Sequence, residues 1–265
     1  MQIAFHDVAG QMLRVGIRPG DGAQPPLLLF NGIGANIELV SPFVEALAGR
    51  ETIVFDVPGV GGSPAPALPY RPRALAKLAA RLLDQLGHRE ADVLGVSWGG
   101  ALAQQFAFQQ GARCRRLVLA ATSPGHLMVP ARPSVLLKMA SPRRYRDRGY
   151  MERIAGDIYG GAMRAGPELV RRHLRHVRWA SDRGYYLQLL AVMGWTSLPW
   201  LPLLRQPALV MAGQDDPLVP AINGRILAAL IPRARLVMLD DGHLFLVTSA
   251  QQSATIVDDF LQSAA

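Results

Sequence analysis

Features that would assign a protein to a special class are scarce in this sequence of 265 residues. Cys114 is the only cysteine, so the chain cannot form an internal disulfide and has no cysteine cluster for a metal ion. Its first residues, MQIAFHDVAG, lack the basic start and long apolar stretch of an ordinary signal peptide. No uninterrupted apolar run approaches the ~18 residues of a membrane span. We therefore expect a soluble, cytoplasmic protein with no integral membrane segment.

The positive charge is concentrated in one segment of the chain. The formal net charge is +8, and residues 132–183 contain 13 Lys or Arg against 5 Asp or Glu, which accounts for the whole excess. Because this segment carries no known nucleic-acid-binding motif, we expect no nucleic acid partner. A solvated arginine-rich surface explains the charge, and an anionic or polymeric surface as partner is the alternative.

Short apolar runs alternate with amphipathic stretches along most of the chain. Such runs, apolar on both faces, are typical of buried parallel strands. The pattern predicts an α/β fold with a mostly parallel central sheet flanked by helices. Strands are predicted at residues 2–6, 12–17, 27–30, 52–55, 92–96, 117–121, 208–211 and 236–239, and helices at 37–48, 73–86, 99–110, 222–230 and 249–262.

The alternation stops between Ser123 and about Pro202. This stretch is rich in Arg, Pro, Tyr, Trp and Met, and its apolar residues recur at helical spacing. We interpret it as a helical cap, or lid, inserted after the sixth strand. The predicted organisation is a first core part at 1–122, the cap at 123–202 and a second core part at 203–265.

A nucleophile motif follows the fifth predicted strand. Residues 95–99, Gly-Val-Ser-Trp-Gly, match Gly-x-Ser-x-Gly and open a predicted helix, which is the context that the motif requires. The tight turn needs small neighbours, and Gly95, Gly99 and Gly100 provide them. The hydroxyl of Ser97 should then project near the positive end of the helix dipole. Ser97 is therefore the predicted nucleophile.

A serine hydroxyl is a weak nucleophile unless a base takes its proton. Of the six histidines, His243 follows the last predicted strand, where the base is expected. His6 and His88 precede the nucleophile, and His173 and His176 are expected to be exposed on a basic helix. His243 is therefore the predicted general base.

The acid that orients this histidine should lie between the serine and the histidine in chain order. Asp215 and Asp216 both follow the seventh predicted strand. The spacing Gly-x-x-Asp favours Asp216, which leaves Asp215 as a turn residue. Asp240 and Asp241 are nearer to the histidine in sequence, but their position is more typical of a turn.

Acyl transfer also needs hydrogen-bond donors for the developing oxyanion. The backbone N–H groups of Trp98, directly after the nucleophile, and of Ile33, in the loop after the third strand, are the predicted donors. Asn31, in the same loop, is predicted to hydrogen-bond within the loop or to touch substrate. Trp195, in the predicted cap, is a second possible substrate contact. This chemistry requires no metal and no organic cofactor.

The motifs together resemble the α/β-hydrolase superfamily, and longer strings resemble one group within it, the intracellular poly(3-hydroxyalkanoate) depolymerases of the medium-chain-length type. The resemblance covers nearly the whole chain, and the strings from the predicted cap are the more specific signal. The strings are FNGIGANIELV (30–40), FDVPGVGGS (55–63), GVSWGGALAQQFA (95–107), LVLAATSPG (117–125), MASPRRY (139–145), IYGG (158–161), GWTS (194–197) and DDGHLFL (240–246).

This resemblance implies a cytoplasmic serine esterase associated with storage-polyester granules. It would hydrolyse ester bonds between 3-hydroxyacyl units that bear medium-length side chains, through an acyl-enzyme. Ser97, Asp216 and His243 stand at the positions of the family's triad. The granule surface, or an ester substrate, is the implied partner.

Two other functions use the same residues. A small-molecule carboxylesterase, lactonase or thioesterase is compatible with this fold and triad, since neither names a substrate. A non-catalytic granule-binding protein on a decayed hydrolase scaffold is a remote alternative, because all three members of the triad are present.

Two groups of apolar residues in the predicted cap have two interpretations each. The aromatic residues either line a channel or contact the granule, or they form the core of the cap. The apolar patch beside the basic segment is either an interfacial contact or a packed helix face. The aromatic group is Trp179, Tyr185, Tyr186, Trp195 and Trp200, and the patch is Met128, Val129, Leu136, Leu137 and Met139.

Overall fold

The structure, a computed structural model, describes residues 1–47 and 49–263. The described residues form one eight-stranded sheet with the order β1-β2-β4-β3-β5-β6-β7-β8 once the strands are numbered along the chain. The first two pairings, β1 with β2 and β2 with β4, are antiparallel, and the other five are parallel. The strands are β1 (Gln2–Val8), β2 (Gln11–Arg18), β3 (Leu27–Phe30), β4 (Thr52–Phe55), β5 (Ala91–Val96), β6 (Cys114–Ala120), β7 (Ala208–Gly213) and β8 (Ala234–Leu239).

Twelve α-helices and three short 3-10 turns connect these strands in the described part of the chain. The predicted helix at 37–48 is divided: Ile37–Val40 is a 3-10 turn, and the α-helix after it ends at Ala46. Ala48, Ala264 and Ala265 lie outside the described residues. The helices are α1 (Ser41–Ala46), α2 (Pro72–Gln85), α3 (Trp98–Gln109), α4 (Pro133–Met139), α5 (Arg143–Arg146), α6 (Arg148–Tyr159), α7 (Ala162–Ala165), α8 (Pro167–Leu174), α9 (Asp182–Val192), α10 (Ile222–Leu230), α11 (Phe245–Thr248) and α12 (Ala250–Gln262).

The inner strands of the sheet, β3 to β7, are buried on both faces, as their mainly apolar sequences predict. Successive side chains of a strand point to opposite faces. Leu28 and Phe30 of β3 therefore join a cluster with residues of α2 and α3, whereas Leu27 and Leu29 join a second cluster with residues of α1 and α12. The predicted α/β architecture with a mostly parallel sheet is confirmed.

Six helices, α4 to α9, lie between β6 and β7, where the sequence predicts an inserted cap. They have an apolar cluster of their own, which includes Val135, Met151 and Ile154. Side-chain caps fix two of the helix starts, because Asp147 accepts the N–H of Tyr150 and Ser181 accepts the N–H of Gly184. We refer to residues 123–202 as the helical segment; its role as a cap remains a prediction.

None of the helices in the described ranges is both long enough and apolar enough to cross a lipid bilayer.

Candidate active site

Ser97 lies in the turn between β5 and α3 with a backbone conformation that L-residues rarely adopt. Its φ is 54° and its ψ is −118°. Such a conformation costs on the order of 1–3 kcal/mol and persists only where neighbouring groups hold it. Here the Ser97 N–H donates to the Ala120 carbonyl at 2.9 Å, and the Ser97 carbonyl accepts the Thr122 hydroxyl at 2.7 Å. The end of β6 therefore holds the strained turn.

Three glycines allow this turn to pack against its neighbours. A Cβ atom at Gly99 would overlap the backbone of Phe30, and one at Gly100 would overlap the side chain of Thr122. A Cβ atom at Gly95 would overlap the carbonyl of Gly99 across the turn. The close approach of backbone to backbone thus explains the glycines around the predicted nucleophile.

His243 and Asp216 form a buried pair after β8 and β7, and both are less than 7% exposed. The ring Nδ1 of His243 lies 2.7 Å from Asp216 Oδ2. The other oxygen, Asp216 Oδ1, accepts the N–H groups of Leu218 at 2.9 Å and Val219 at 2.8 Å. Because an ionised carboxylate only accepts hydrogen bonds, Nδ1 must carry the proton. Nε2 is then free to act as the base.

Tyr159, at the end of α6, holds His243 from the helical segment. The His243 N–H donates to the Tyr159 carbonyl at 2.6 Å, and the two rings are nearly parallel with centroids 6.1 Å apart. Burial raises the pKa of the Tyr159 hydroxyl. The side chain of Tyr159 is therefore an uncharged aromatic group that packs beside the imidazole of His243.

Asp215, the other candidate for the orienting acid, turns away from the histidine. Its carboxylate accepts two hydrogen bonds from Arg164, at 2.8 and 3.1 Å, and one from the N–H of Gly161 at 2.7 Å. The bonds from Arg164 and then Gly161 hold the pKa of Asp215 below its usual value. The structure thus brings Asp216, and not Asp215, to His243.

Asp241 has a structural position in the loop that carries the histidine. It accepts the hydroxyls of Thr248 at 2.6 Å and Ser249 at 2.7 Å, together with the N–H of Ala162 at 3.0 Å. Burial opposes the ionisation of Asp241, but these hydrogen bonds outweigh it and keep the pKa below its usual value. This residue fastens the loop, as the prediction of a turn implies.

Ser97 and His243 line one open cavity at the carboxyl ends of the strands. Among the described residues no hydrogen bond joins the Ser97 hydroxyl to the imidazole. Catalytic hydrogen bonds of this kind are often long without substrate and tighten when it binds. The walls are mainly apolar, with Leu39, Val96, Leu218 and other side chains from both the sheet and the helical segment.

The two predicted oxyanion donors stand beside this cavity. Among the described residues, neither the Ile33 N–H nor the Trp98 N–H donates to another protein group. Trp98 is the first residue of α3, so its N–H belongs to the positive end of the helix. A Cβ atom at Gly32 would lie 3.7 Å from Ser97 Cβ, which shows how closely the loop approaches the serine. Both donors are therefore available to an oxyanion.

The two predicted substrate contacts have different surroundings. Asn31 lines the cavity, but its Oδ1 accepts the Gly32 N–H and its Nδ2 donates to the Asn36 carbonyl, both at 2.9 Å. Both ends of this side chain thus hold the loop. Trp195 is not brought to the cavity: its indole donates to Gln105 at 2.9 Å, because the loop around it packs onto α3. The predicted substrate contact of Trp195 has no support in this geometry.

The sequence did not indicate a clamp that holds the oxyanion loop. The Tyr145 hydroxyl donates to the Ile33 carbonyl at 2.5 Å, and the side-chain oxygen of Gln188 accepts the Gly34 N–H at 2.6 Å. The backbone carbonyl of Gln188 also accepts the indole N–H of Trp98 at 2.8 Å. Both polar groups of the peptide between Ile33 and Gly34 are thus hydrogen-bonded to the helical segment. The string MASPRRY, which ends at Tyr145, was the available signal.

His173 is a further cavity residue that the sequence placed wrongly. We predicted it to be exposed, but it is only 8% exposed and lines the cavity, because α8 turns it toward the ring of Tyr159. Burial lowers the pKa of His173 to about 4. The imidazole of His173 is therefore neutral near pH 7.

Comparison with known proteins agrees with this geometry. The family model for the alpha/beta hydrolase fold matches residues 25–250. The chain belongs to the α/β-hydrolase family. This α/β hydrolase is 56% identical over 257 residues to the poly(3-hydroxyalkanoate) depolymerase of Ectopseudomonas oleovorans, which covers 97% of the present chain and 91% of that protein.

More distant members of the family share the same overall fold. The enol-lactonase of Burkholderia xenovorans LB400 has a TM-score of 0.85 at 26% identity, covering 98% of this chain and 100% of that one. A hydrolase from Pseudomonas aeruginosa PA01 has a TM-score of 0.81 at 27% identity, covering 98% of each chain. The same overall fold thus extends over nearly the whole chain.

Proposed function

We propose that this α/β hydrolase is a serine esterase that hydrolyses medium-chain-length poly(3-hydroxyalkanoate) to 3-hydroxyacyl oligomers and monomers. The observation that carries the proposal is the identity of 56% to a poly(3-hydroxyalkanoate) depolymerase over 97% of the chain, because this share includes the helical segment that lines one side of the cavity. In this family the residues around the cavity, rather than the triad, distinguish one ester from another.

The first half-reaction forms an acyl-enzyme on Ser97. The Ser97 hydroxyl attacks an ester carbonyl while His243 Nε2 takes its proton, and Asp216 stabilises the imidazolium. The N–H groups of Ile33 and Trp98 hold the oxyanion. The ester C–O bond then breaks, and His243 returns the proton to the departing 3-hydroxyacyl alcohol.

The second half-reaction restores the enzyme with water. His243 takes a proton from water, which attacks the acyl carbon, and the bond to Ser97 Oγ breaks as the proton passes to the serine. The released product is a carboxylic acid. No step needs a metal or an organic cofactor, since the charge develops only on groups that these residues contact.

We further propose that helices α4 to α9 act as a cap over the two core parts. The cavity shares Leu39, His173 and Val247 with an adjoining cleft. Arg172 and His176 line that cleft on the side of the helical segment. The cleft supports a path along which a polyester chain reaches Ser97 between the cap and the core.

A surface of the helical segment suits contact with a storage granule in the cytoplasm. Leu136 and Leu137 on α4 are 46% and 75% exposed, and Leu127 and Val129 precede them in an exposed loop. Single exposed apolar residues are ordinary, but several together with flanking cations are typical of interfacial contacts. We call these four residues the α4 patch. Met139, which the sequence grouped with them, lines the cavity instead.

A small-molecule esterase or lactonase is the second candidate. The enol-lactonase with a TM-score of 0.85 has the same fold over the whole length of the chain, but a shared fold does not name a substrate, and the identity of 56% to a depolymerase favours the first function. The two functions differ in one measurable property, which is activity on insoluble polymer.

The test is hydrolysis of a medium-chain-length polyhydroxyalkanoate suspension by wild type and by Ser97→Ala, with the released 3-hydroxy acids identified by mass. We expect release by wild type and a loss of several orders of magnitude in the variant, as for other serine hydrolases, where about 10⁶-fold has been measured. Cleavage of soluble nitrophenyl esters without any release from polymer would reject the depolymerase and favour the small-molecule esterase.

A further inference from the structure

Arg144, on the short helix α5, is a buried cation in the wall of the cavity that contains Ser97. It is 1% exposed, and it lines the same cavity as Ser97 and His243. Arginine is almost never fully buried unless an acid pairs with it. Arg143, the preceding residue in the sequence, is by contrast exposed and pairs with Asp147, four residues along the chain. The burial of Arg144 therefore needs a reason.

The groups around Arg144 are neutral. Nη1 donates to the Tyr185 hydroxyl at 2.5 Å and Nη2 to the Tyr145 hydroxyl at 3.4 Å. The guanidinium carbon lies 5.1 Å from the ring centroid of Tyr185 and 4.5 Å from that of Tyr145. Among the described residues no carboxylate lies within ion-pair distance of Arg144, and its buried Nε–H has no acceptor.

The tyrosines orient the guanidinium but do not neutralise it. Each hydroxyl is also a donor, Tyr145 to the Ile33 carbonyl at 2.5 Å and Tyr185 to the Met139 carbonyl at 2.6 Å. Their oxygen lone pairs therefore remain for Arg144. An arginine in a protein stays protonated, and a buried charge without a counter-charge is strongly unfavourable. An anion that enters the cavity during the reaction would remove this penalty.

We propose that Arg144 binds the terminal carboxylate of the polyester chain. The inference rests on the proposed function, because a poly(3-hydroxy acid) is uncharged along its length and carries a single carboxylate at one end. In the last ester bond, the carboxylate and the alcohol oxygen of the terminal unit are separated by one methylene and one methine carbon. Arg144 thus holds the leaving unit while Ser97 attacks the ester carbonyl next to it.

Tyr145 supports this placement because it connects the two sites. Its hydroxyl accepts from Arg144 and donates to the carbonyl of Ile33, the residue whose N–H is a proposed oxyanion donor. A carboxylate on Arg144 is therefore near the reacting carbonyl, as a terminal 3-hydroxyacyl unit requires. Attack forms the bond between Ser97 Oγ and the acyl carbon, breaks the ester C–O bond, and sends the proton from His243 to the alcohol of the released hydroxy acid. Cleavage then proceeds from the carboxyl end, one unit at a time.

The first experiment compares two inhibitors of nitrophenyl octanoate hydrolysis, 3-hydroxyoctanoate and its uncharged analogue 3-hydroxyoctanamide. We expect wild type to bind the carboxylate about 10- to 100-fold more tightly, the range for a charge-assisted hydrogen-bonded pair. Arg144→Gln should abolish the difference, Arg144→Lys should keep part of it, and the exposed neighbour variant Arg143→Gln should keep all of it. Equal inhibition of wild type by acid and amide would overturn the proposal without any variant.

The second experiment asks whether the substrate end is recognised. Wild type should cleave the dimer of 3-hydroxyoctanoate at least about tenfold faster, in kcat/KM, than the methyl ester of that dimer, because the methyl ester removes the charge. Equal rates would overturn recognition of the chain end, even if the free acid inhibits as a product. Discrimination between acid and amide by an enzyme that leaves polyester intact would reject the proposed function but keep the carboxylate site. Degradation of polyester without discrimination between acid and amide would keep the proposed function but reject the carboxylate site.

Discussion

The two sides of the cavity differ in whether their buried polar atoms have hydrogen-bond partners. On the core side, both oxygens of Asp216 have hydrogen-bond partners. On the side of the helical segment, buried atoms of Arg144 and His173 have no partner among the described residues. A buried polar atom without a partner is unfavourable, so each such atom needs an explanation. The difference indicates that the core is preorganised for bond cleavage, whereas the helical segment keeps polar groups for the substrate.

The difference follows from how each region is built. The backbone of the sheet holds the reactive residues, as the bond from Ser97 to Ala120 shows. The helical segment contacts this machinery mainly through side chains, such as Gln188 on Gly34 and Tyr145 on Ile33. Substitutions in the core should therefore reduce the rate of hydrolysis for every ester. Substitutions in the helical segment should instead alter the position of the oxyanion loop, the stability of the protein in acid or its binding to polyester granules.

The largest effect is expected from Asp216→Asn. An asparagine amide can donate to Nδ1 of His243, which would stabilise the tautomer that cannot act as base. We expect kcat for a soluble nitrophenyl ester to fall by about 10⁴-fold, as for the equivalent change in other triads. The matched control is Asp215→Asn, on the adjacent residue, which should change kcat by less than about threefold because it breaks only an exposed pair with Arg164. Similar losses in the two variants would contradict the assignment of Asp216.

A smaller effect is expected from the clamp on the oxyanion loop. Gln188→Met keeps the length of the side chain but removes the acceptor for the Gly34 N–H, so the Ile33 donor should lose its fixed position. We expect kcat to fall by about 10- to 100-fold with KM changed less than about threefold, because misplacement of an oxyanion donor affects the transition state more than the bound ester.

The conservative variant Gln188→Glu provides the control, because its carboxylate restores an acceptor at the same position. It should recover most of the lost kcat. A Gln188→Met enzyme with the kcat of wild type would show that the clamp does not act on catalysis.

Acid should weaken the protein through His173 in the helical segment. Its pKa is about 4 in the folded protein, below the ordinary value of 6.5. Below pH 6.5 the unfolded chain therefore binds a proton that the folded protein does not, and the free energy of unfolding falls until about pH 4. The slope approaches about 1.4 kcal/mol per pH unit, or about 2 kcal/mol between pH 6.5 and pH 5.

Urea unfolding of wild type and His173→Gln at pH 5 and pH 7.5 measures this contribution. The variant should lose about 2 kcal/mol less than wild type between the two pH values. His126→Gln, which removes an exposed histidine of the same segment, should behave as wild type. An unchanged pH dependence in His173→Gln would contradict the burial of a neutral imidazole.

The smallest effect is expected at the α4 patch. Leu137 is 75% exposed, so Leu137→Glu should leave stability within about 0.5 kcal/mol and leave the hydrolysis of soluble esters unchanged. Binding to polyester granules in a sedimentation assay should weaken by about 3- to 10-fold, since a partly buried apolar contact becomes a carboxylate. Leu203→Glu changes a leucine that is 62% exposed outside this patch and should bind as wild type. Equal binding by both variants would remove the α4 patch from the granule contact.

The sequence by itself determined the sheet and the order of the reactive residues. The runs Leu27–Phe30 and Thr52–Phe55 have the bounds of the strands in the structure, because a strand buried on both faces is built mainly from apolar residues. The Gly-x-Ser-x-Gly motif also located Ser97, since only small residues fit that turn. Local rules of this kind act within a few residues, and they can be read from the chain.

Only the tertiary structure decided which polar groups meet. Asp215 and Asp216 are adjacent in sequence, and their roles differ because one reaches Arg164 and the other His243. The burial of Arg144 and of His173, and the packing of Trp195 away from the cavity, depend on how the helical segment lies on the sheet. A basic or aromatic residue on a helix has the same local pattern whether it faces solvent, a neighbouring helix or the substrate, so the contacts made by the folded chain determine its function.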